Sequence, residues 1–247
     1  LLITEEATRC DLFRDNSLMV TKLNTPAQWS SRVHQGNLAN NFNSYLFLFR
    51  VGKTRFCRNL LKYNILSEKI KHVFYYSCPG AKNPKWNKFL PSIRIHFREG
   101  LPTTRQFLNT PKHSIVIIDD QFEESIESKE IQKAFTVYRR KIGFSLIVIS
   151  QNVYEKGRKA KTIRSNTFTY VLFNNFGDQQ QNHLLARQLM LEKRFKEFRA
   201  DHFKTIHDKH SYVVLNNTAK HEDLRVATNI FSESTHLGIR LPILYTD

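Results

Sequence analysis

Two short runs constrain the fold of this chain more than any other feature: Ile115-Val116-Ile117-Ile118 and Leu146-Ile147-Val148-Ile149 are apolar at every position. A strand with one wet face alternates apolar and polar residues, so an unbroken run belongs to a strand covered on both faces. Strands of that kind lie in a mostly parallel sheet between helices. The full set of expected strands is Tyr45–Phe49, His72–Ser77, Ile93–Phe97, Ser114–Ile118, Ser145–Ser150, Phe168–Phe173 and Tyr212–Leu215, each a short β-branched or aromatic run. The segments Lys53–Leu66, Ser128–Lys141 and Gln179–Ile206 read as helices, long enough for the crossovers that parallel strands need. The expected fold class is α/β. Residues 1–43, polar and Asn-rich, read as an extension wrapping the core edge, 44–231 as the core, and 232–247 as a tail.

Charge narrows the partners. Thirty-eight Lys and Arg against 22 Asp and Glu give a net charge of +16 over 247 residues, an excess that favours a polyanion, nucleic acid before a membrane surface. It is spread along the chain, so no basic tail accounts for it. No run of about 18 apolar residues occurs, so no membrane-spanning helix is expected. Cys10, Cys57 and Cys78 form no CxxC pair and read as free thiols rather than a disulfide framework or zinc site. The histidines show no metal-ligand spacing. The chain begins Leu1-Leu2-Ile3 without Met, which reads as a fragment or a processed form.

Three sites could carry chemistry. Gly52-Lys53-Thr54 directly follows the first strand and opens a helix. A phosphate-binding loop needs that placement: backbone N–H groups face the anion, Lys meets the β- and γ-phosphates, and the Thr hydroxyl holds magnesium. The head of the pattern GxxxxGK[ST] is missing, because Phe47 stands where glycine is required. Bulky Phe47-Leu48-Phe49 read as strand, and a segment of that kind offers no glycine-lined nest to a phosphate. The second site is Asp119-Asp120 at the end of the first apolar run, where Asp119 can serve magnesium and Asp120 can orient and deprotonate a water. The third is Gln151 at the end of the second run, with Asn152 as second choice, placed to reach a γ-phosphate. Arg139 and Arg140 end a helix, where cations suit the dipole, or act as an arginine finger on a neighbouring subunit. Arg187 is a further finger candidate, and Lys156–Lys161 with Arg164 a basic loop that could hold phosphates.

Taken together, these segments resemble a known family. His72–Ser77, the turn Glu99-Gly100-Leu101-Pro102, the pair Asp119-Asp120, the strand Ser145–Asn152, and then Asn166, Tyr170–Asn175 and Leu185-Ala186-Arg187-Gln188 are similar in order and spacing to the viral genome-packaging ATPases of the FtsK–HerA superfamily. That branch spans poxvirus-type viruses, virophages, adintoviruses and Polinton (Maverick) elements, the last two being the nearest. The resemblance implies a RecA-like P-loop NTPase fold, a homo-oligomeric ring, and ATP hydrolysis with Mg2+ driving double-stranded DNA into a capsid or its portal vertex. It implies Gly52, Lys53 and Thr54 on phosphate, Thr54 and Asp119 on metal, Asp120 on water, Gln151 as γ-phosphate sensor, and Arg139 or Arg140 as finger. An intracellular place in an infected or host cell, in nucleus or viral factory, or in the virion, goes with it. Two other functions fit the same residues: a catalytically impaired pseudo-ATPase that binds DNA or capsid protein, favoured by the short loop, and a HerA-like cellular DNA pump or helicase.

Overall fold

The two unbroken apolar runs become neighbouring strands inside one large sheet. The computed structural model describes residues 44–48, 52–63, 70–150, 158–173, 179–189, 191, 193, 195–196, 211–217, 225–231, 233–235, 238–240 and 243–244. The strands are β1 (Ser44–Leu48), β2 (His72–Ser77), β3 (Arg94–Glu99), β4 (Ser114–Asp119), β5 (Phe144–Ser150), β6 (Thr169–Phe173), β7 (Tyr212–Asn216), β8 (Val226–Thr228), β9 (Glu233–Thr235), β10 (Gly238–Arg240) and β11 (Ile243–Leu244). Among the described residues the main sheet runs β11–β8–β7–β6–β1–β5–β4–β2–β3. Pairing is parallel from β6 to β3 and antiparallel among β6, β7, β8 and β11. Ile115, Ile117, Leu146 and Val148 are each 0% exposed, as the absence of alternation requires.

The segment after residue 231, read as a tail, continues the sheet: β11 pairs with β8, and β9 pairs with β10 as a small separate ladder. Such short strands carry too few residues to show a pattern in sequence.

The first helix, α1 (Lys53–Lys62), starts from Gly52 at φ 98, a left-handed conformation that glycine adopts without steric cost. Its buried stripe of Phe56, Cys57, Leu60 and Leu61 packs on the sheet. There the Phe56 ring meets Phe173, Tyr212 and Phe231 at centroid distances of 6.0, 4.8 and 4.9 Å. Burying one such ring contributes about 1.5–3 kcal/mol. The helix stops at Lys62, short of the expected Leu66, with Tyr63 as its C-cap.

The expected helix Ser128–Lys141 is present without a break from Lys129 to Gly143, but it is wound in two ways. Between α2 (Thr104–Leu108) and β5 lie α3 (Phe122–Glu127), α4 (Lys129–Lys133) and a π-helix over Ala134–Gly143. Ser128 interrupts the first two because its side chain accepts from Ile131 N–H, capping a new start, an alternative that serine offers the backbone. In the π segment Thr136, Arg139 and Arg140 each donate to a carbonyl four residues back, while the Phe144 N–H takes the Arg139 carbonyl. Two more helices follow, α5 (Arg158–Ser165) and α6 (Gln179–Gln188). The expected Gln179–Ile206 helix is interrupted, because Leu189 and Leu191 are not helical while Lys193, Phe195 and Lys196 are; residues 190, 192, 194 and 197–206 lie outside the described residues.

Candidate functional site

Because β1, β4 and β5 are parallel, their C-terminal ends share one edge of the sheet, the edge where open α/β sheets bind ligands. Gly52-Lys53-Thr54 follows β1, Asp119 closes β4, and β5 lies between them. Lys53 is 8% exposed. Burial holds its ammonium below the usual lysine value, against the pull of Asp119 and Asp120. The Asp119 carboxyl is pushed up by burial, while a hydrogen bond from Tyr75 and the charge of Lys53 work against that rise. Cys57, one helical turn beyond Lys53, is 0% exposed, and its thiol is pushed well up by burial and by Asp119. It is inert as a nucleophile.

Sequence reasoning missed Tyr75. Its phenol donates to Asp119 Oδ2, and the Thr54 hydroxyl faces the same phenol. The ring is 2% exposed and held edge-on by Trp86 at 5.3 Å and Phe97 at 5.7 Å. Tyr75 therefore joins the two groups expected to hold metal. A strand position of period two gives an aromatic residue no sign that its hydroxyl is used. Tyr75→Phe is expected to keep the ring packing, lose about 1 kcal/mol of stability, and make the Asp119 carboxyl titrate at higher pH than in the parent. Carboxyl NMR across a pH series reads this directly.

Asp120 is exposed and left-handed at φ 56, a region that Asp tolerates better than most residues. Its N–H donates to the Ile149 carbonyl at 3.0 Å, tying the acidic turn to β5. A second missed residue, Gln121, is 4% exposed and donates from Nε2 to the Gly100 carbonyl at 3.4 Å. It pins the Glu99–Pro102 turn against the loop after β4.

Other expectations divide. Gln151, Asn152, Lys156 and Gly157 lie outside the described residues. The basic segment read as a loop is helical from Arg158 onward. Arg187 is exposed in the last turn of α6. Among the described residues no group of three or more His, Cys, Asp or Glu could hold a metal by itself, and no helix is long and apolar enough to cross a membrane.

Arg139 needs correction as a finger candidate. It is 0% exposed, with Nε donating to the Phe135 carbonyl at 2.8 Å, Nη2 to the Asn166 carbonyl at 3.3 Å, and its guanidinium 4.2 Å from the Phe168 ring centroid. Burial, with Arg140 adding to it, pulls it down to about 10. A side chain so enclosed has no path to a neighbouring subunit. Arg140 is exposed. Arg139→Ala is expected to cost on the order of 3 kcal/mol, whereas Arg140→Ala stays within about 0.5 kcal/mol. Urea unfolding of the two variants separates the roles.

The residues fit a magnesium–nucleotide pair. Thr54 and Asp119 offer the hard oxygens magnesium takes, one or two protein ligands beside substrate phosphates. The start of α1 has neither a capping side chain nor an acid in its first turn, which leaves its N–H groups suited to an anion. A strand inserted between the phosphate strand and the acid strand completes the pattern. The fold is that of a RecA-like P-loop NTPase.

No protein-family model matches this sequence, and no curated protein matches it. Solved structures resemble it in fold. The DNA-packaging ATPase B204 of Sulfolobus Turreted Icosahedral Virus is 13% identical with a TM-score of 0.49, covering 72% of this chain and 93% of its own. A DnaB-like replicative helicase is 13% identical with a TM-score of 0.45, over 80% of this chain and 58% of its own. EssC (ATPases 2 and 3) from Geobacillus thermodenitrificans is 11% identical with a TM-score of 0.42, over 82% and 40%. At such scores the fold assignment stands on this chain's own strand order and on the placement of Gly52-Lys53-Thr54 and Asp119.

Proposed function

We propose that this chain is an ATPase that drives double-stranded DNA into a viral or mobile-element capsid. The observation that carries the ATPase part is the meeting of Lys53 with Asp119 at the C-terminal edge of β1 and β4, Thr54 facing the same phenol as Asp119. In this reading the α1 N–H groups and Lys53 hold the terminal phosphates, and Thr54 with Asp119 holds magnesium. Magnesium, when bound, screens the phosphate oxygens and lowers the barrier to attack on phosphorus. Asp120 takes a proton from the attacking water, Gln151 contacts the γ-phosphate, and Arg140 reaches a neighbouring subunit's nucleotide in a ring. The charge of +16 supports a DNA partner. The Polinton–adintovirus placement, the capsid or portal partner, and a nuclear, viral-factory or virion location rest on the sequence resemblance.

A second reading has its own observation. Phe47 pairs with Ile149 on one side and Val171 on the other, so the position that should begin a glycine-rich loop lies inside β1. Four residues, 49–52, separate the end of β1 from the first residue of α1. A chain so shortened would keep the fold and bind DNA or capsid protein without turnover. DNA-stimulated ATP hydrolysis by the parent chain, lost in Lys53→Ala, supports the motor. No nucleotide binding by the parent would rule the motor out and leave the pseudo-ATPase.

A further inference from the structure

The opposite face of the sheet, away from Tyr75 and Asp119, carries a different kind of surface. Among the described residues β3 is the last strand at its end of the sheet, and its register sets His72 beside Arg94, Phe74 beside His96, and Tyr76 beside Arg98. With a side-chain period of two, these six share one face, while Val73, Tyr75 and Ser77 point the other way. They form a zigzag ladder across the two strands. The His72 and His96 rings stack at 5.8 Å and 18°, and His96 and Phe74 at 4.8 Å and 13°. The Arg98 guanidinium then lies 5.5 Å from the Phe74 centroid and 6.0 Å from that of Tyr76.

This strip contains no acid. Among the described residues neither Arg94 nor Arg98 makes an ion pair. Glu99, the one carboxylate on β3, falls on the other face by period and accepts from Gly80 N–H at 3.3 Å. Burial and the neighbouring cations lower His96, and the permanent charges of the strip are its two arginines. Arg94 is exposed. Arg98 is pre-set by the rings beneath it, so it loses little freedom on meeting an anion. Alternate residues on a strand stand about 6.6 Å apart, placing Arg94 and Arg98 about 13 Å apart along a straight edge. Two arginines at a fixed strand spacing, with no carboxylate partner among the described residues, suit a regular line of phosphates. The rings already stack on one another, so they have no face to offer bases, and the contact would be independent of sequence.

We infer that the β2–β3 face, through Arg94 and Arg98, is a docking surface for the phosphate backbone of duplex DNA, separate from the nucleotide site. The test is binding of a fluorescein-labelled 30-base-pair duplex across a potassium chloride series by the parent, by Arg94→Gln/Arg98→Gln, and by Arg105→Ala/Lys133→Ala as a control removing two exposed cations elsewhere. Each phosphate contact adds about 0.9 to the slope of log K against log salt. The β3 double variant is therefore expected to lose about 1.8 from the slope and to bind any duplex sequence more weakly, with the control nearly unchanged and binding of a fluorescent ATP analogue the same as the parent's. Arg94→Glu, at an exposed position, gives the same direction should Arg98 prove necessary for folding. An unchanged slope, an equal loss in the control, or a variant that instead loses self-association or binding to phosphatidylserine vesicles while keeping DNA would overturn the inference. Because nucleotide binding is read separately, failure of the motor reading leaves this result interpretable.

Discussion

The Asp119→Asn protein is expected to unfold at a higher temperature than the parent at neutral pH, by about 2–4 °C for each kcal/mol gained, with a gain of about 1–2 kcal/mol. Burial raises the Asp119 carboxyl above the ordinary Asp value of 3.8, despite the Tyr75 hydrogen bond and the Lys53 charge. Between that ordinary value and the raised one, the folded chain holds a proton that the unfolded chain has released. Stability therefore falls as pH rises through that window and stays low above it. Asparagine removes the slope while still accepting from the Tyr75 phenol. The two proteins should match in acid, below the ordinary Asp value, and diverge toward neutrality. Calorimetry at a series of pH values reads the divergence; parallel curves would mean that Asp119 ionises without penalty.

Lys53→Ala is expected to have the largest effect on function. The ammonium is placed by both the start of α1 and the pull of Asp119, so its loss removes the pre-set charge for the terminal phosphates. Losing one such donor reduces turnover by about 10²–10³-fold, roughly 2.7–4 kcal/mol. Binding of a fluorescent ATP analogue should fall with it, whereas duplex DNA binding should not. Lys53→Arg keeps the charge but not the shape in a buried site, and is expected to recover little. Since Lys53 and Asp119 oppose each other's shifts, the double variant Lys53→Ala/Asp119→Asn should depart from additivity. Additive values would show that the two groups do not feel one another.

Much of this was legible from residues alone, for definable reasons. The runs at 115–118 and 146–149 lacked alternation, and that alone placed them in the interior of a parallel sheet. Gly52 announced the helix start because few other residues take its conformation cheaply. Tyr75 was illegible because a hydroxyl aimed at a carboxylate two residues along on a neighbouring strand leaves no trace in a hydrophobic pattern. Arg139 misled because a cation near a helix end usually faces water. Here the π turn and the ring of Phe168 enclose it. The ladder on β2 and β3 read only as strand, since the meaning of His72, Phe74, Arg94 and Arg98 depends on which strand is the last in the sheet.

The insertion of β5 between β1 and β4 has a consequence for how such a site ages. The span between the strand bearing Lys53 and the strand bearing Asp119 is two ladder spacings, about 9.5 Å, fixed by main-chain hydrogen bonds rather than by side chains. The identity of the apolar residues filling β5 barely alters that gauge. Substitutions along the sheet therefore erode stability well before they alter reach, and a lineage can drift far in sequence while its lysine and carboxylate stay in step.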